Sequence, residues 1–207
     1  MKVSCIMPTK GRPQFVADSM RMFMAQDYPD KELLILDAGE RPVRTPRNPA
    51  IIHIRDEPRS TSVGAMRNKL CEAASGELIA HWDDDDIYMP QRLSVQIKTL
   101  LDAKAQICGL NHVRCLDMDT GEAFEKDMGR LGSAGVFWLD GPTLLYRKSA
   151  WQQRPFVDRT AGEEYAFVAG RGADVVVVDH PEIFTHRFHK GSSTRVYGKQ
   201  AQYAPGP

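Results

Sequence analysis

Short apolar runs alternate with amphipathic segments along the first half of the chain. Runs bounded by polar or turn-forming residues predict strands at residues 3–7, 32–36 and 51–54. A fourth run, residues 78–82, leads directly into four consecutive aspartates, Asp83 to Asp86. Strands that alternate with helices in this way are typical of an α/β domain with a mostly parallel sheet.

Helical spacing of apolar residues predicts three helices between these strands. Pro13 suits the first turn of the first helix, whose inner face is Val16, Met20, Phe23 and Met24. The second helix follows the capping cluster of residues 60–62, and Pro90 is expected in the first turn of the third. The aspartates therefore lie at the carboxyl end of a strand, just before a helix.

The pattern is weaker beyond residue 105. We expect an extended segment over residues 107–116, a hairpin turn at 119–121 returning through 122–126, a strand over 143–146, a helix over 163–169 and a buried strand over 174–178. Residues 1–190 are expected to form one domain, and residues 191–207 a mobile tail.

Composition narrows the class of protein. The 27 basic and 27 acidic side chains balance, so no global charge favours nucleic acid or an anionic membrane. No apolar run approaches the roughly 18 residues of a membrane span, and we expect a soluble, cytoplasmic protein. The four cysteines lack a CxxC spacing and are expected to be reduced and buried, with a Cys108–Cys115 disulfide as the open alternative.

Four adjacent carboxylates repel one another, so the run Asp83–Asp86 needs compensation by solvent, a helix dipole or a cation. A calcium loop starting at Asp83 would need glycine and glutamate where Tyr88 and Ser94 stand. At the carboxyl end of a strand in an open α/β sheet, the D-x-D spacing of Asp83 and Asp85 offers oxygen ligands to Mg²⁺ or Mn²⁺.

Several motifs, in order, resemble family 2 of the glycosyltransferases, which have the Rossmann-like GT-A fold. The resemblance runs from residue 3 to about residue 195 and includes these segments: residues 3–9, residues 33–37, Met66-Arg67-Asn68, residues 76–90, residues 141–151, Gly162-Glu163-Glu164 and residues 186–194. It implies a single GT-A domain: a mostly parallel central sheet, helices on both faces and a small antiparallel element on the acceptor side.

The resemblance also implies a donor site for a nucleoside diphosphate sugar, with a UDP-sugar favoured. Asp83 and Asp85 would hold Mn²⁺ or Mg²⁺, and His186 or His189 would complete the metal shell. The donor itself would be contacted by Pro8, Thr9, Asp37, Arg67, Asp83 and Asp84. The family often has a second acid after Asp37, and Ala38 stands there instead, which leaves the nucleotide open.

An inverting hexosyltransferase needs a carboxylate to take the acceptor proton, and the resemblance assigns this role to Glu164, with Glu163 as the fallback. Trp138, Tyr146 and Trp151 are candidates for an acceptor groove, although core packing suits Trp151 better. The acceptor is open among a saccharide, a lipid carrier, a protein and a modified base, and the oligomeric state is open too. The alternative functions are a sugar nucleotidyltransferase and a non-catalytic nucleotide-sugar-binding module.

Overall fold

The predicted alternation of strands and helices is present in the computed structural model, which describes residues 1–57, 61–131, 136–190 and 192. The strands are β1 Val3–Thr9, β2 Lys31–Asp37, β3 Ile51–Arg55, β4 Leu78–His81, β5 Ile87–Tyr88, β6 Ile107–Gly109, β7 His112–Asp117, β8 Ala123–Asp127, β9 Arg130–Leu131, β10 Val136–Phe137, β11 Leu145–Arg147, β12 Val175–Val177 and β13 Phe184–Phe188. The α-helices are α1 Pro13–Met24, α2 Val63–Ala73, α3 Arg92–Asp102, α4 Lys148–Gln153 and α5 Glu163–Val168. Short 3₁₀ turns lie at Gly141–Thr143, Gly172–Asp174 and Pro181–Ile183.

Seven of these strands form the central sheet, in the order β12-β6-β11-β4-β1-β2-β3. Strands β4, β1, β2 and β3 pair in parallel, and β12 pairs in parallel with β6. Only β11, among the described strands of this sheet, runs antiparallel to its neighbours. The predicted mostly parallel α/β fold is therefore confirmed.

A second sheet lies beside the first, with the strand order β5-β13-β7-β8. Strands β7 and β8 form the expected antiparallel hairpin, and Gly121 has a positive φ of 75° in the turn between them. Strand β13 joins this hairpin to β5, which directly follows the aspartates. The acidic run thus lies at the junction of the two sheets.

Helices cover both faces of the central sheet. Along β1 the side chains alternate, so that Cys5 and Met7 belong to one buried cluster and Ile6 to another. The first cluster includes the inner faces of α1 and α3, and the second includes those of α2, α4 and α5. This strand, buried on both faces, reads as a nearly continuous apolar run, as expected for a parallel sheet.

Some element boundaries differ from the prediction. The extended segment 107–116 is two strands in different sheets, β6 and β7, and the strand expected at 143–146 begins only at Leu145 after a 3₁₀ turn. The strand expected to be buried over 174–178 is β12, which is half-buried because it forms the sheet edge. Helix α3 starts at Arg92, after Pro90.

The remaining expectations concern cysteines, membrane spans and the tail. All four cysteines are buried and free, so Cys108 and Cys115 are not bonded to each other. In the part of the chain that the structure describes, no helix has the length and apolar character needed to cross a membrane. Apart from Ser192, the predicted tail 191–207 lies outside the described residues.

Gly64, near the start of α2, allows this helix to lie against the backbone of residues 157–159. Its amide donates a hydrogen bond to the carbonyl of Arg159, and a Cβ atom at this position would overlap the carbonyl oxygen of Val157. We predict that Gly64→Ala lowers the free energy of unfolding by about 2 kcal/mol, because the backbone has to move to make room. Urea unfolding checks this, with Glu72→Ala on the exposed side of the same helix expected to stay within about 0.5 kcal/mol of wild type.

Candidate active site

The candidate site lies where the strand order of the central sheet reverses. From β1 the chain proceeds outward through β2 and β3, and then returns to place β4 on the other side of β1. Ligands of open α/β sheets bind at such a switch point, outside the carboxyl ends of the strands. Here β1 ends at Thr9 and β4 is followed by Trp82 and the acidic run, so the predicted metal and donor residues meet at this point.

The four aspartates alternate in burial. Asp84 and Asp86 are buried to 1% exposure or less, whereas the side chains of Asp83 and Asp85 remain 20% and 14% exposed. The Thr9 hydroxyl donates a 2.5 Å hydrogen bond to Asp84, and the backbone N–H of Arg187 donates one of 2.9 Å to Asp86. Asp84 and Asp86 therefore bind the acidic run to β1 and β13, and the side chains of Asp83 and Asp85 remain partly exposed.

Arg12, in the loop between β1 and α1, lies against two of these carboxylates. Its guanidinium is 2.7 Å from Asp84 and 2.5 Å from Asp85. Burial raises the pKa of Asp84 to about 7, and the positive charge of Arg12 opposes that shift. The same two carboxylates raise the pKa of Arg12 against the effect of its own burial, so the guanidinium stays charged.

Arg67 of α2 is buried, with 3% of its surface exposed, and joins two acidic segments of the site. One end of its guanidinium donates to both oxygens of Asp83 at 3.1 and 3.2 Å, and the other pairs with Glu163. Burial raises the pKa of Glu163 to about 8, with the adjacent Glu164 adding to the shift and Arg67 opposing it. Arg67 is therefore a buried residue of the cavity wall and not the exposed helix arginine of the alternative interpretation, and its role in donor binding stays a prediction.

Glu164 lies on the cavity wall, against the backbone of Gly141. A Cβ atom on Gly141 would be 2.9 Å from Cγ of Glu164, so this contact requires glycine. The carbonyl of Gly141 accepts a 2.8 Å hydrogen bond from Nδ1 of the buried His81, whose pKa burial keeps well below its usual value. A neutral imidazole with its proton on Nδ1 thus fixes the surface on which Glu164 rests.

The two histidines of the predicted metal shell have different partners. His186 lies 3.0 Å from Asp140, and the charges of Asp86 and Asp140 outweigh burial and raise the pKa of His186 to about 9. His189 places Nε2 3.0 Å from Asp85, and its ring packs against Phe15 at 4.7 Å. The structure therefore brings His189, more than His186, to the predicted metal-binding carboxylate.

Lys126 and Asp140 belong to the site although the sequence did not indicate them. Lys126 lies 3.3 Å from Asp140, and both line the cavity with His186. Burial favours the neutral acid, but the charges of His186 and Lys126 outweigh it and lower the pKa of Asp140. Arg12 and His81 were also missed as site residues, although Arg12 directly follows the β1 nucleotide loop. Gly141 was indicated only as part of the segment 141–151 that resembles the family.

Asp37 and Ala38 are not on the cavity wall. Asp37 is fully buried and accepts hydrogen bonds from the backbone N–H groups of Gly39 and Val43 and from Arg55. It therefore organises the loop after β2, and its role in donor binding stays a prediction. Ala38 is also buried, with its N–H donating to the carbonyl of Thr9.

The three aromatic candidates for an acceptor groove also differ in whether they line the cavity. Tyr146 and Trp151 are buried in the core, with 0% and 8% of their surfaces exposed, so they do not line an acceptor groove. Trp138 does lie on the cavity wall.

The cavity that unites these residues has a volume of about 390 Å³. Its wall includes Pro8, Thr9, Arg12, Arg67, Asp83, Asp85, Asp86, Lys126, Trp138, Asp140, Gly141, Glu163, Glu164, Tyr165 and His186. This size is within the range of small-molecule sites. One cavity thus brings Asp83 and Asp85 together with both candidate bases, whereas Asp37 and Asp84 do not line it.

Comparisons with known proteins identify the family of this chain. Residues 4–161, more than half of the chain, match the model of glycosyl transferase family 2. The chain is 33% identical over 100 residues to the putative colanic acid biosynthesis glycosyl transferase WcaA of Escherichia coli K12, a match covering 45% of this chain and 36% of WcaA. This chain belongs to glycosyl transferase family 2.

Solved structures show the same fold at low sequence identity. Staphylococcus aureus TarS 1–349 in complex with UDP-GlcNAc superposes with a TM-score of 0.72 at 17% identity, covering 95% of this chain and 62% of that one. The mannosyltransferase PcManGT of Pyrobaculum calidifontis, in complex with GDP-Man and Mn²⁺, gives 0.65 at 15% identity, covering 90% and 56%. The chain thus spans roughly a third to three fifths of the relatives it matches.

The buried pair of Arg67 and Glu163 provides a stability test of the site. We predict that Arg67→Met lowers the free energy of unfolding by about 3–5 kcal/mol, because it removes the buried cation that pairs with both Asp83 and Glu163. Combined with Glu163→Gln, the loss should be smaller than the sum of the two single losses by at least about 1 kcal/mol in urea unfolding.

The exposed pair Lys98 and Asp102 of α3 provides the matched control, with an expected coupling under about 0.5 kcal/mol. Strictly additive losses at Arg67 and Glu163 would show that the two side chains do not stabilise each other.

Proposed function

We propose that this protein transfers a sugar from a nucleoside diphosphate donor to an acceptor hydroxyl, with inversion at the anomeric carbon and with help from a divalent cation. The observation that carries the proposal is the shared cavity, in which Asp83 and Asp85 lie with cationic side chains and with Glu164. The transfer releases a negatively charged leaving group and needs an acceptor for the hydroxyl proton. The cavity offers cationic side chains for the first and the carboxylate of Glu164 for the second.

The donor fits the carboxyl end of β1. Pro8 and Thr9 line the cavity there, and Lys10 and Arg12 add positive charge on the same wall, which suits a diphosphate. TarS structures are described with UDP and UDP-GlcNAc, and PcManGT with GDP-Man. These complexes support a nucleoside diphosphate sugar as the donor class, with a UDP-sugar favoured here.

The carboxylates and the imidazole at the site fit a divalent cation that binds together with its nucleotide. Within the described residues no three acidic, histidine or cysteine side chains converge as a metal site. Asp85 and His189 nevertheless approach to 3.0 Å, and Asp83 is partly exposed on the same cavity. Mg²⁺ in such enzymes is usually held by one or two carboxylates together with substrate phosphates, so a full protein cage is not required.

Asp85, with Asp83 and His189, would hold Mn²⁺ or Mg²⁺, and an imidazole favours Mn²⁺. The cation would neutralise charge on the departing diphosphate.

In the transfer, the acceptor oxygen attacks the anomeric carbon of the donor and forms the new glycosidic bond. The bond from that carbon to the diphosphate oxygen breaks, and its electron pair leaves with the nucleoside diphosphate. Glu164 takes the proton from the acceptor hydroxyl. Glu163 is less suited to this role because it is 2% exposed and paired with Arg67.

A donor screen tests the proposed function. We predict that one class of sugar nucleotide releases its nucleoside diphosphate in the presence of Mn²⁺ or Mg²⁺ and not in chelator. Asp85→Asn should reduce this release at least about a hundredfold, because charge on the leaving group is no longer neutralised. Nucleoside diphosphate release is measured with a coupled assay.

Two controls make the screen specific. Glu164→Gln should lose transfer while keeping metal-dependent UDP binding, and Asp102→Asn on the exposed end of α3 should behave as wild type. Equal turnover in chelator would contradict the role of the metal. Donor binding with no turnover of any donor and no transfer would indicate a non-catalytic binding module instead.

Arg12 gives a second prediction, because a cation on Asp85 has to replace the guanidinium that lies 2.5 Å away. We expect Arg12→Gln to bind Mn²⁺ about threefold more tightly than wild type without nucleotide, since this competition is removed. The same variant should bind UDP more weakly, because a cation facing the diphosphate is lost. Titration of free Mn²⁺ by electron paramagnetic resonance measures the first effect and calorimetry the second.

Arg12→Lys keeps the charge and is the matched control, expected to stay near wild type in UDP binding. An Arg12→Gln variant with unchanged or weaker Mn²⁺ binding would show that Arg12 does not compete for Asp85.

A further inference from the structure

Two aromatic side chains, Trp138 and Tyr165, form a stacked pair on the cavity wall. Their ring centroids are 4.3 Å apart with an angle of 18° between the ring planes, and both residues line the cavity. Tyr165 keeps 41% of its surface exposed. We call this pair the aromatic wall.

Each residue of the aromatic wall is close in sequence to the candidate base Glu164 or to the backbone that supports it. Tyr165 follows Glu164 directly in α5, and Trp138 lies shortly before Gly141, whose backbone supports the Glu164 side chain. A group packed against the wall is therefore held close to the carboxylate that would receive the acceptor proton.

Core formation does not account for the exposed tyrosine. The aromatic cluster of Tyr146, Phe156 and Phe167 is buried in the core, and Tyr165 does not belong to that core. Large exposed aromatic surface inside a cavity is a feature of binding sites, where a rigid ring supplies contact area at low entropic cost.

The chemistry of the wall and of its surroundings suits a sugar. An aromatic face carries negative charge density, and the C–H groups on one face of a pyranose are polarised by the attached oxygens, so the two surfaces attract. Lys126, Asp140 and His186 line the same cavity and offer donors and an acceptor for sugar hydroxyls. A lipid phosphate or a peptide would gain less binding energy from a single stacked aromatic pair that lies beside charged side chains.

We propose that the aromatic wall is the acceptor subsite and that the acceptor is a saccharide whose ring packs on Trp138 and Tyr165 with one hydroxyl directed to Glu164. This inference rests on the proposed function, because it assigns the acceptor of the same transfer.

Intrinsic fluorescence tests the proposal without turnover. Trp82 and Trp151 are buried to 0% and 8% exposure, so a ligand in the cavity acts mainly on the emission of Trp138. The protein, with UDP and Mn²⁺ present, is titrated with unlabelled disaccharides ending in glucose, galactose, mannose or N-acetylglucosamine. We expect at least one to change the emission saturably, and Trp138→Phe to remove that signal.

Tyr165→Ala should weaken the binding of that disaccharide about five- to tenfold, and Tyr165→Phe should restore most of it. In transfer assays the KM for the saccharide should rise similarly while calorimetric UDP affinity changes less than about twofold. Tyr28→Ala, a tyrosine outside the cavity wall, is the matched control and should leave saccharide binding unchanged.

Two results would overturn the acceptor assignment. One is that Tyr165→Ala lowers the melting temperature and the rate of transfer with no change in saccharide affinity or KM, which is the behaviour of a purely structural pair. The other is transfer to a polyprenyl phosphate, a peptide or a nucleoside but to no saccharide. Failure of the proposed function is distinct, because wild type would then release no nucleoside diphosphate from any donor.

Discussion

The structure depends on compensating four consecutive carboxylates placed where a buried strand ends. Such a run is repulsive, and its two buried members lose the stabilisation of water. The chain supplies Arg12 from the β1–α1 loop, Arg67 from α2, and His186 and Arg187 from β13. Residues far apart in sequence therefore come together around Asp83–Asp86 at the junction of the two sheets.

The contacts that compensate these charges differ between two pairs of aspartates. Asp84 and Asp86 accept hydrogen bonds from β1 and β13 and hold the junction of the sheets. Asp83 and Asp85 remain partly exposed, although both already have cationic neighbours. In the proposed function, these neighbours would exchange their contacts when a diphosphate and its cation bind.

The first half of the fold follows from local patterns. Apolar runs and helical spacing predict β1 to β4 and α1 to α3 to within a few residues, because each of these elements except the edge strand β3 buries a face along most of its length. The sheet made of β5, β13, β7 and β8 was not predictable as a sheet, since its strands are short and pair across up to about a hundred residues. Residues 107–116 accordingly appeared as one extended segment.

The sequence indicated residues of the candidate site where a side chain suited to the chemistry stands at the end of a strand or directly after it. Thr9, Asp83 and Asp85 meet that condition and lie on the cavity. Glu164 also lies on the cavity, but it is in α5, and the family resemblance indicated it. Asp37 also ends a strand, but the loop after it turns back so that its backbone amides saturate the carboxylate. The role of His81 and Gly141 could not be found from sequence, because it is a hydrogen bond inside the core that supports Glu164.

The division of the acidic run is tested most directly by comparing Asp84→Ala with Asp85→Ala in two measurements on each variant, urea unfolding and UDP affinity with and without Mn²⁺. We expect Asp84→Ala to lose about 1–3 kcal/mol of stability, because Thr9 and Arg12 lose their buried partner. Asp85→Ala should keep its stability within about 1 kcal/mol and lose the gain in UDP affinity that Mn²⁺ gives the wild type. An Asp85→Ala variant in which Mn²⁺ still strengthens UDP binding would contradict the account.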